Sequence, residues 1–84
     1  MGLDEQFSEA KQQVTALSER PSNEVLLQLY ALYKQGLEGD VQGKRPGMMD
    51  FKGRAKYDAW AGNKGMSQDE AKQKYVDLVN SLAG

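Results

Sequence analysis

Hydrophobic residues recur at helical spacing over most of the chain, beginning with its first segment. The apolar positions there are Leu3, Phe7, Ala10, Val14 and Leu17. This spacing places them in one stripe of an amphipathic helix, with Asp4 and Glu5 favourably placed near its positive end. Because a residue before proline is disfavoured in the α region, Arg20-Pro21 predicts the end of this helix.

A second helix is predicted from about Asn23 to Gln35, with Ser22 as its N-cap and Gly36 as its break. This helix carries two apolar stripes. The first is Val25, Leu29 and Leu32, and the second is Leu26, Tyr30 and Tyr33. Because a helix in a small bundle needs only one apolar face, the second stripe predicts a contact with another helix or with a ligand.

The segment from Gly36 to Asp50 is rich in glycine and is predicted to be a connection. At about fifteen residues it is long for a compact domain, and such loops are often functional. Asp50 is then expected to cap a third helix that ends near Ala61. The predicted core face of that helix is Phe51, Ala55, Tyr57 and Ala59, together with Trp60.

A fourth helix has the clearest start, because Ser67-Gln68-Asp69-Glu70 matches the S-x-x-E capping box. Its predicted apolar stripe is Ala71, Tyr75, Leu78 and Leu82. Four helices and no candidate strand predict an all-α fold in which residues 1–84 form a single domain. The long connection favours parallel second and third helices, and therefore an up-down-down-up four-helix bundle.

The chain contains no cysteine and no histidine. It therefore lacks the residues for thiol catalysis, for a Ser-His-Asp triad and for the usual zinc sites, and we expect no catalytic residue, no metal and no cofactor. No segment is long and apolar enough to span a bilayer, and the N-terminus matches neither a signal peptide nor a myristoylation site. We expect a cytoplasmic protein without membrane insertion, and a monomer because the chain is small and mostly polar.

Positive charge is concentrated in one stretch of a chain whose net charge is -1. The cations are Lys44, Arg45, Lys52, Arg54 and Lys56, and Asp50 is the only acid among them. Such a distribution favours one anionic site and argues against a general affinity for nucleic acid or anionic membranes. The alternative is an ordinary solvated face.

Aromatic and basic side chains coincide on the second helix, where Tyr30, Tyr33 and Lys34 share one face. Lys52 and Lys56 are likewise one turn apart on the third helix. Tyrosines at this spacing are more often packing residues, and lysines are more often simply solvated. Together with the spare apolar stripe, however, they suit an amphipathic anion that contains an aromatic ring.

Several segments resemble the acyl-CoA-binding protein family, whose members are also called diazepam-binding inhibitors. The similar segments are Tyr30 to Gln35, Gly39-Asp40, Arg45 to Trp60 and Lys64-Gly65, followed by Ser67, Ala71 and Tyr75. The resemblance implies an up-down-down-up four-helix domain that binds one acyl-CoA ester. Its implied partners are acyl-CoA esters and the enzymes that use them, and its implied role is transport and pool formation without catalysis.

Site residues follow from the same resemblance. Lys34 and Lys56 resemble the family's cations for the nucleotide phosphates, and Tyr33 resembles the ring that stacks on adenine. Tyr30 resembles a phenol at the same head group, and Tyr75 resembles a fourth-helix tyrosine near the ligand. The residues expected to line the acyl groove are Leu26 and Leu27. The chain departs from the family at Thr15, where many members have a lysine, which puts one phosphate contact in doubt.

Two other classes of function stay open at this stage. The domain also occurs fused to isomerase-type catalytic domains in the family, although this chain offers no nucleophile–base pair. A helical protein-interaction or signalling module would instead use the spare face of the second helix to dock a partner helix.

Overall fold

Four helices form the regular structure of this protein, as the sequence predicts. The computed structural model describes residues 2–83. The helices are α1 (Leu3–Thr15), α2 (Asn23–Glu38), α3 (Phe51–Ala61) and α4 (Gln68–Ala83). The described residues contain no strand, so the all-α prediction is confirmed.

Side-chain caps fix the starts of three helices. The hydroxyl of Ser22, the carboxylate of Asp50 and the hydroxyl of Ser67 each accept a hydrogen bond from the backbone amide three residues later, at 3.2, 3.0 and 3.1 Å. These bonds satisfy amides that would otherwise lack an intrahelical partner. The three predicted N-caps are therefore confirmed.

The first helix ends earlier than its apolar pattern predicts. It stops at Thr15, and the amides of Ala16 and Leu17 bond to carbonyls three residues back, at 3.1 and 3.4 Å. This tighter turn closes the helix, so Leu17 lies beyond it and Arg20-Pro21 is not its stop. The predicted end was wrong because a local turn intervenes before the proline.

The second helix continues through Gly36, where a break was predicted. Gly36 is buried, and a Cβ atom at this position would lie 3.1 Å from Cζ of Phe7 and 3.0 Å from Cγ of Lys72. A glycine is therefore used here for close packing between helices rather than as a stop. The helix ends instead at Gly39, whose φ of 85° favours glycine.

Contacts between helix ends establish the direction of each helix. An ion pair of 2.6 Å joins Lys72 to Asp4, near the starts of α4 and α1, so these two helices run parallel. Gly36, near the end of α2, meets Phe7, near the start of α1. The second helix is therefore antiparallel to α1 and α4.

The third helix runs parallel to α2. The indole nitrogen of Trp60, near the end of α3, donates to the carbonyl of Gly39 just after α2, at 2.8 Å. The connection from residue 39 to residue 50 lies along α3, to which it is tied by Tyr57 donating to the carbonyl of Gly43 at 3.0 Å. These directions confirm the up-down-down-up bundle.

The hydrophobic core lies among α1, α2 and α4. Its buried cluster is Phe7, Ala10, Leu29, Tyr75, Val76 and Val79. On α4 the two valines are buried more deeply than Leu78 and Leu82, which are half-buried at its edge. On α3 only Trp60 is buried, and Phe51 is 76% exposed, so the predicted core face of α3 was wrong at Phe51. The reason is that Phe51 begins the helix, where no other helix covers it.

A buried glutamine joins the end of α2 to the start of α4. The side-chain amide of Gln35 donates to Oδ1 of Asp40 at 2.9 Å and to the carbonyl of Met66 at 2.8 Å. The same carboxylate oxygen accepts the amide of Gly65 at 2.8 Å. These donors, first Gly65 and then Gln35, hold the pKa of Asp40 below its ordinary value because they favour the charged form.

Candidate functional site

A groove between the N-terminal halves of α2 and α3 has a volume of about 540 Å³. From α2 and the residues before it, the lining side chains are Arg20, Asn23, Leu26, Leu27 and Tyr30. From α3 they are Phe51, Lys52, Ala55 and Lys56. The groove thus combines an apolar surface with basic side chains, because each helix presents residues three or four positions apart on this side.

The α2 wall includes part of the predicted second stripe. Leu26 and Leu27 lie in the groove, and Tyr30 lies there with them. Leu26 also packs against the core. Tyr33 packs against the core as well, but it is not among the residues that line the groove. The second stripe therefore meets both a helix and the groove.

Across the groove, Lys56 faces Tyr30. The Nζ atom of Lys56 lies 5.4 Å from the centroid of the tyrosine ring, within the range of a cation–π contact. No carboxylate among residues 2–83 forms an ion pair with Lys56. Its charge is consequently available to an anion that enters the groove.

Lys34 lies one turn further along α2 than Tyr30, outside the groove lining. Its ammonium forms an ion pair with Glu38 and lies 4.9 Å from the ring centroid of Trp60. The hydrogen bond to Glu38 raises the pKa of Lys34, because it favours the charged form. The structure therefore places Lys34 beyond the residues that line the groove and gives it a carboxylate partner, with which an incoming anion must compete.

Tyr33 and Tyr75 belong to an aromatic cluster with Phe7. The rings of Phe7 and Tyr33 stack with centroids 5.1 Å apart, and Tyr75 approaches the two at 5.2 and 5.6 Å. Tyr75 is only 1% exposed, and its burial raises the pKa of its hydroxyl to about 12. Tyr33 is half-buried, and Nζ of Lys11 lies 4.6 Å from its ring centroid.

A second cavity of about 340 Å³ lies next to the groove. Leu27 lines both cavities. The other apolar residues of the second cavity are Ala31, Leu32, Ala59 and Met66. The side chain of Leu27 therefore lies between the groove and the second cavity.

Several groove residues were not among the predicted site residues, namely Arg20, Asn23, Phe51, Lys52 and Ala55. For Lys52 the signal was present, because it lies one turn before Lys56. Arg20 precedes α2 in an irregular segment, so no helical period could place it. Thr15 is exposed, and its hydroxyl donates to the carbonyl of Gln12 at 2.7 Å.

Residues 2–83 contain no group of three or more histidine, cysteine or acidic side chains placed to hold a metal ion. Within the same range, no helix is long and apolar enough to cross a membrane. The groove, with its apolar wall and free lysine, defines a class of protein: a four-helix domain with an open site for an amphipathic anion.

Comparison with known proteins narrows that class to one family. Residues 4–79 match the family described as "Acyl CoA binding protein". The chain is 45% identical over 80 residues to the acyl-CoA-binding protein homolog of Drosophila melanogaster, an alignment that covers 95% of this chain and 93% of the relative. This chain belongs to the acyl-CoA-binding protein family.

A solved structure and a larger enzyme show the same similarity. The structure of Oryza sativa Acyl-CoA-Binding Protein 2 superposes with a TM-score of 0.92 at 42% identity, and the match covers 96% of this chain and 90% of that one. Enoyl-CoA delta isomerase 2 of Rattus norvegicus is 48% identical over 77 residues, which are 92% of this chain but only 20% of the enzyme. The family's domain therefore occurs both in short proteins and as a small part of a longer one.

Proposed function

We propose that this protein binds one medium- to long-chain acyl-CoA ester and carries it without changing it chemically. The observation that supports the proposal most directly is the groove, in which Leu26 and Leu27 lie beside the unpaired ammonium of Lys56. An acyl chain gains about 0.8 kcal/mol for each CH₂ group that it buries, so the leucines favour longer chains until the groove ends. The lysine recognises a phosphate.

Residue roles follow from position in the fold and from family membership. Lys56 and Tyr30 contact a phosphate from opposite walls of the groove, and Lys34 contacts one beyond the groove, at the cost of its pairing with Glu38. Tyr33 offers its half-buried ring to the adenine. Tyr75 takes part by supporting Tyr33, because its own ring is buried against that side chain.

Non-catalytic carriage is the second half of the proposal. The chain has no histidine or cysteine to act as base or nucleophile, and residues 1–84 serve as a single binding domain. We further infer that it acts as a monomer in the cytoplasm and delivers its ligand to enzymes that use acyl-CoA. Prolonged incubation with an acyl-CoA should return the ester intact, and protein-dependent hydrolysis or isomerisation would contradict this half of the proposal.

Isothermal titration calorimetry tests the binding half. The titrants are a long-chain acyl-CoA below its micelle concentration, free coenzyme A and the free fatty acid. One-to-one binding of the ester, with both halves much weaker, is the expected result because the groove joins apolar and cationic contacts. Absence of ester binding by the folded protein would refute the proposal and leave a helical interaction module.

Two lysine variants make the same experiment more specific. Lys56→Ala should weaken ester binding by about ten- to a hundredfold, which is the loss expected for one hydrogen bond to a charged group. Lys64→Ala is the matched control, because it removes the same charge from an exposed position beyond the C-terminal end of α3. Equal losses for the two variants would show that Lys56 acts only through the net charge.

A further inference from the structure

The second cavity adjoins the groove at Leu27, which lines both spaces. On α3, Ala55 lines the groove, and Ala59, one turn later, lines the second cavity. Since an alanine side chain ends at its Cβ atom, α3 puts little side chain between the two spaces at these positions. Leu27 is therefore the large side chain that separates them.

Leu27 is held less firmly than its apolar neighbours on α2. It is half-buried, and the partly buried residues that pack against the core include Val25, Leu26 and Leu32 but, among the described residues, not Leu27. A side chain outside the packed core changes rotamer rapidly. Leu27 can consequently move aside without disturbing the core, and this movement joins the two spaces.

The chemistry of the second cavity suits an uncharged apolar group. Its apolar lining is Leu27, Ala31, Leu32, Ala59 and Met66. The cation among its lining residues is Lys74, whose ammonium lies 3.3 Å from a carboxylate oxygen of Glu70. Because this charge is already paired, the cavity favours burial of hydrocarbon over binding of a carboxylate or a phosphate.

The groove alone is short for a long acyl chain. Its wall on α2, from Asn23 to Tyr30, is about 11 Å long at a rise of about 1.5 Å per residue. Part of this length is given to the phosphate that Tyr30 and Lys56 are proposed to contact. A membrane-length acyl chain spans about 15 Å, which is half the hydrocarbon thickness of a bilayer. The end of such a chain must therefore either meet water or enter the adjoining cavity of about 340 Å³.

We propose that the second cavity receives the terminal part of long acyl chains and that Leu27 moves aside to admit it. This inference rests on the proposed function, because the chain reaches the cavity only when the rest of the ester is bound in the groove. Each further CH₂ group that is buried raises the affinity by about fourfold. The affinity should consequently keep rising beyond the chain length that fills the groove, so that the two spaces together select long-chain esters.

Calorimetry with a series of saturated acyl-CoA esters tests this inference. The series runs from medium to very long chains in steps of two carbons, each ester below its micelle concentration, and tight binders are measured by displacement of a medium-chain ester. Ala59→Leu fills the second cavity from α3. In this variant the affinity should stop rising at a shorter chain. The very-long-chain ester should bind about tenfold more weakly than to the unchanged protein, and the medium-chain ester should bind as before.

Ala55→Leu is the matched control, because it adds the same atoms one turn earlier, in the groove. It should weaken the medium-chain and the very-long-chain ester alike. Asn63→Phe fills the cavity from the turn after α3 and provides a second variant, should circular dichroism show that Ala59→Leu does not fold. It should reproduce the selective loss of the very-long-chain ester.

Two results would overturn the inference while the medium-chain ester still binds and the proposed function holds. The first is unchanged affinity of the folded cavity-filling variants for the very-long-chain ester, and the second is an equal loss for both esters. Binding of a free fatty acid that Ala59→Leu abolishes, without any change in ester affinity, would identify a separate lipid site and likewise overturn the assignment to the acyl chain. Failure of every ester to bind the unchanged protein would instead refute the proposed function, and this inference with it.

Discussion

Gly36 gives the sharpest test of how the core supports the proposed site. Replacing this buried glycine by alanine adds a methyl group in the last turn of α2. That group would lie 3.1 and 3.3 Å from two carbons of the Phe7 ring and 3.0 Å from Cγ of Lys72. The lysine stem can move aside, whereas the ring of Phe7 is confined by its stacking on Tyr33 and its edge contact with Tyr75.

Two effects of opposite sign determine the free energy of unfolding of this variant. Alanine is favoured over glycine inside a helix by about 1 kcal/mol. Extra volume in a packed core typically costs about 1–3 kcal/mol. Because the Phe7 ring has aromatic neighbours on two sides, we expect the packing cost to exceed the helical gain, with a net destabilisation of about 1 kcal/mol. The displaced ring should also shift Tyr33 and weaken ester binding.

Urea denaturation followed by Trp60 fluorescence measures the stability, and calorimetry measures the binding. Gly62→Ala is the control, because Gly62 is exposed, has helical φ and ψ, and meets only backbone carbonyls of its own turn. It should change stability little or raise it slightly. If Gly36→Ala instead stabilises the protein as much as the control does, then Phe7 moves freely and the reasoning about the aromatic cluster is wrong.

Three further predictions concern the hydrogen bonds of Asp40 near the end of α2, the aromatic cluster and the groove. The pKa of Asp40 is lowered by Gly65 and Gln35, so its contribution to stability is complete above the ordinary value of 3.8 and is lost as the pH falls below it. Below pH 3.8, acid denaturation of Asp40→Asn should therefore depend less on pH than acid denaturation of the unchanged protein. For Tyr75 the pKa rises from 10.0 to about 12, so stability is lost as the pH rises through this range, and alkaline denaturation of Tyr75→Phe should lack that component. Leu27→Ala should weaken calorimetric binding of a long-chain ester by about tenfold but leave free coenzyme A unaffected, because the removed atoms are apolar. An equal loss with both ligands would place Leu27 outside the acyl site.

The starts of the helices could be predicted from sequence because their causes are local. Ser22, Asp50 and Ser67 each bond to an amide only three residues away, so the signal lies within one turn of chain. The up-down-down-up order was also predictable, because a long connection before Asp50 leaves room for α3 to run parallel to α2.

Features that depend on distant neighbours could not be predicted in this way. Gly36 looked like a helix break because the ring of Phe7, which requires the glycine, lies far away in sequence. Phe51 looked like a core residue because the period of α3 cannot show that no helix covers its first turn. The ion pair of Lys34 with Glu38 is different, because its i,i+4 spacing could be predicted once α2 is known to continue past Gly36 to Glu38.

The two walls of the groove differ in how firmly the fold holds them. The α2 wall belongs to a helix whose other side is part of the core, and Leu26 packs against that core. Within residues 2–83, α2 is the helix whose backbone comes close to α3, and Trp60 is the buried side chain of α3. Its other attachments are to the connection, through hydrogen bonds from Trp60 and Tyr57 and through the ion pair of Asp58 with Arg45. Since few buried apolar contacts hold α3, its local opening costs less free energy than opening of the core. The fold thus places Lys52 and Lys56 on the more weakly held wall of the groove, and Leu26, Leu27 and Tyr30 on the wall formed by a core helix, so that local opening of α3 changes the width of the groove without disturbing the core.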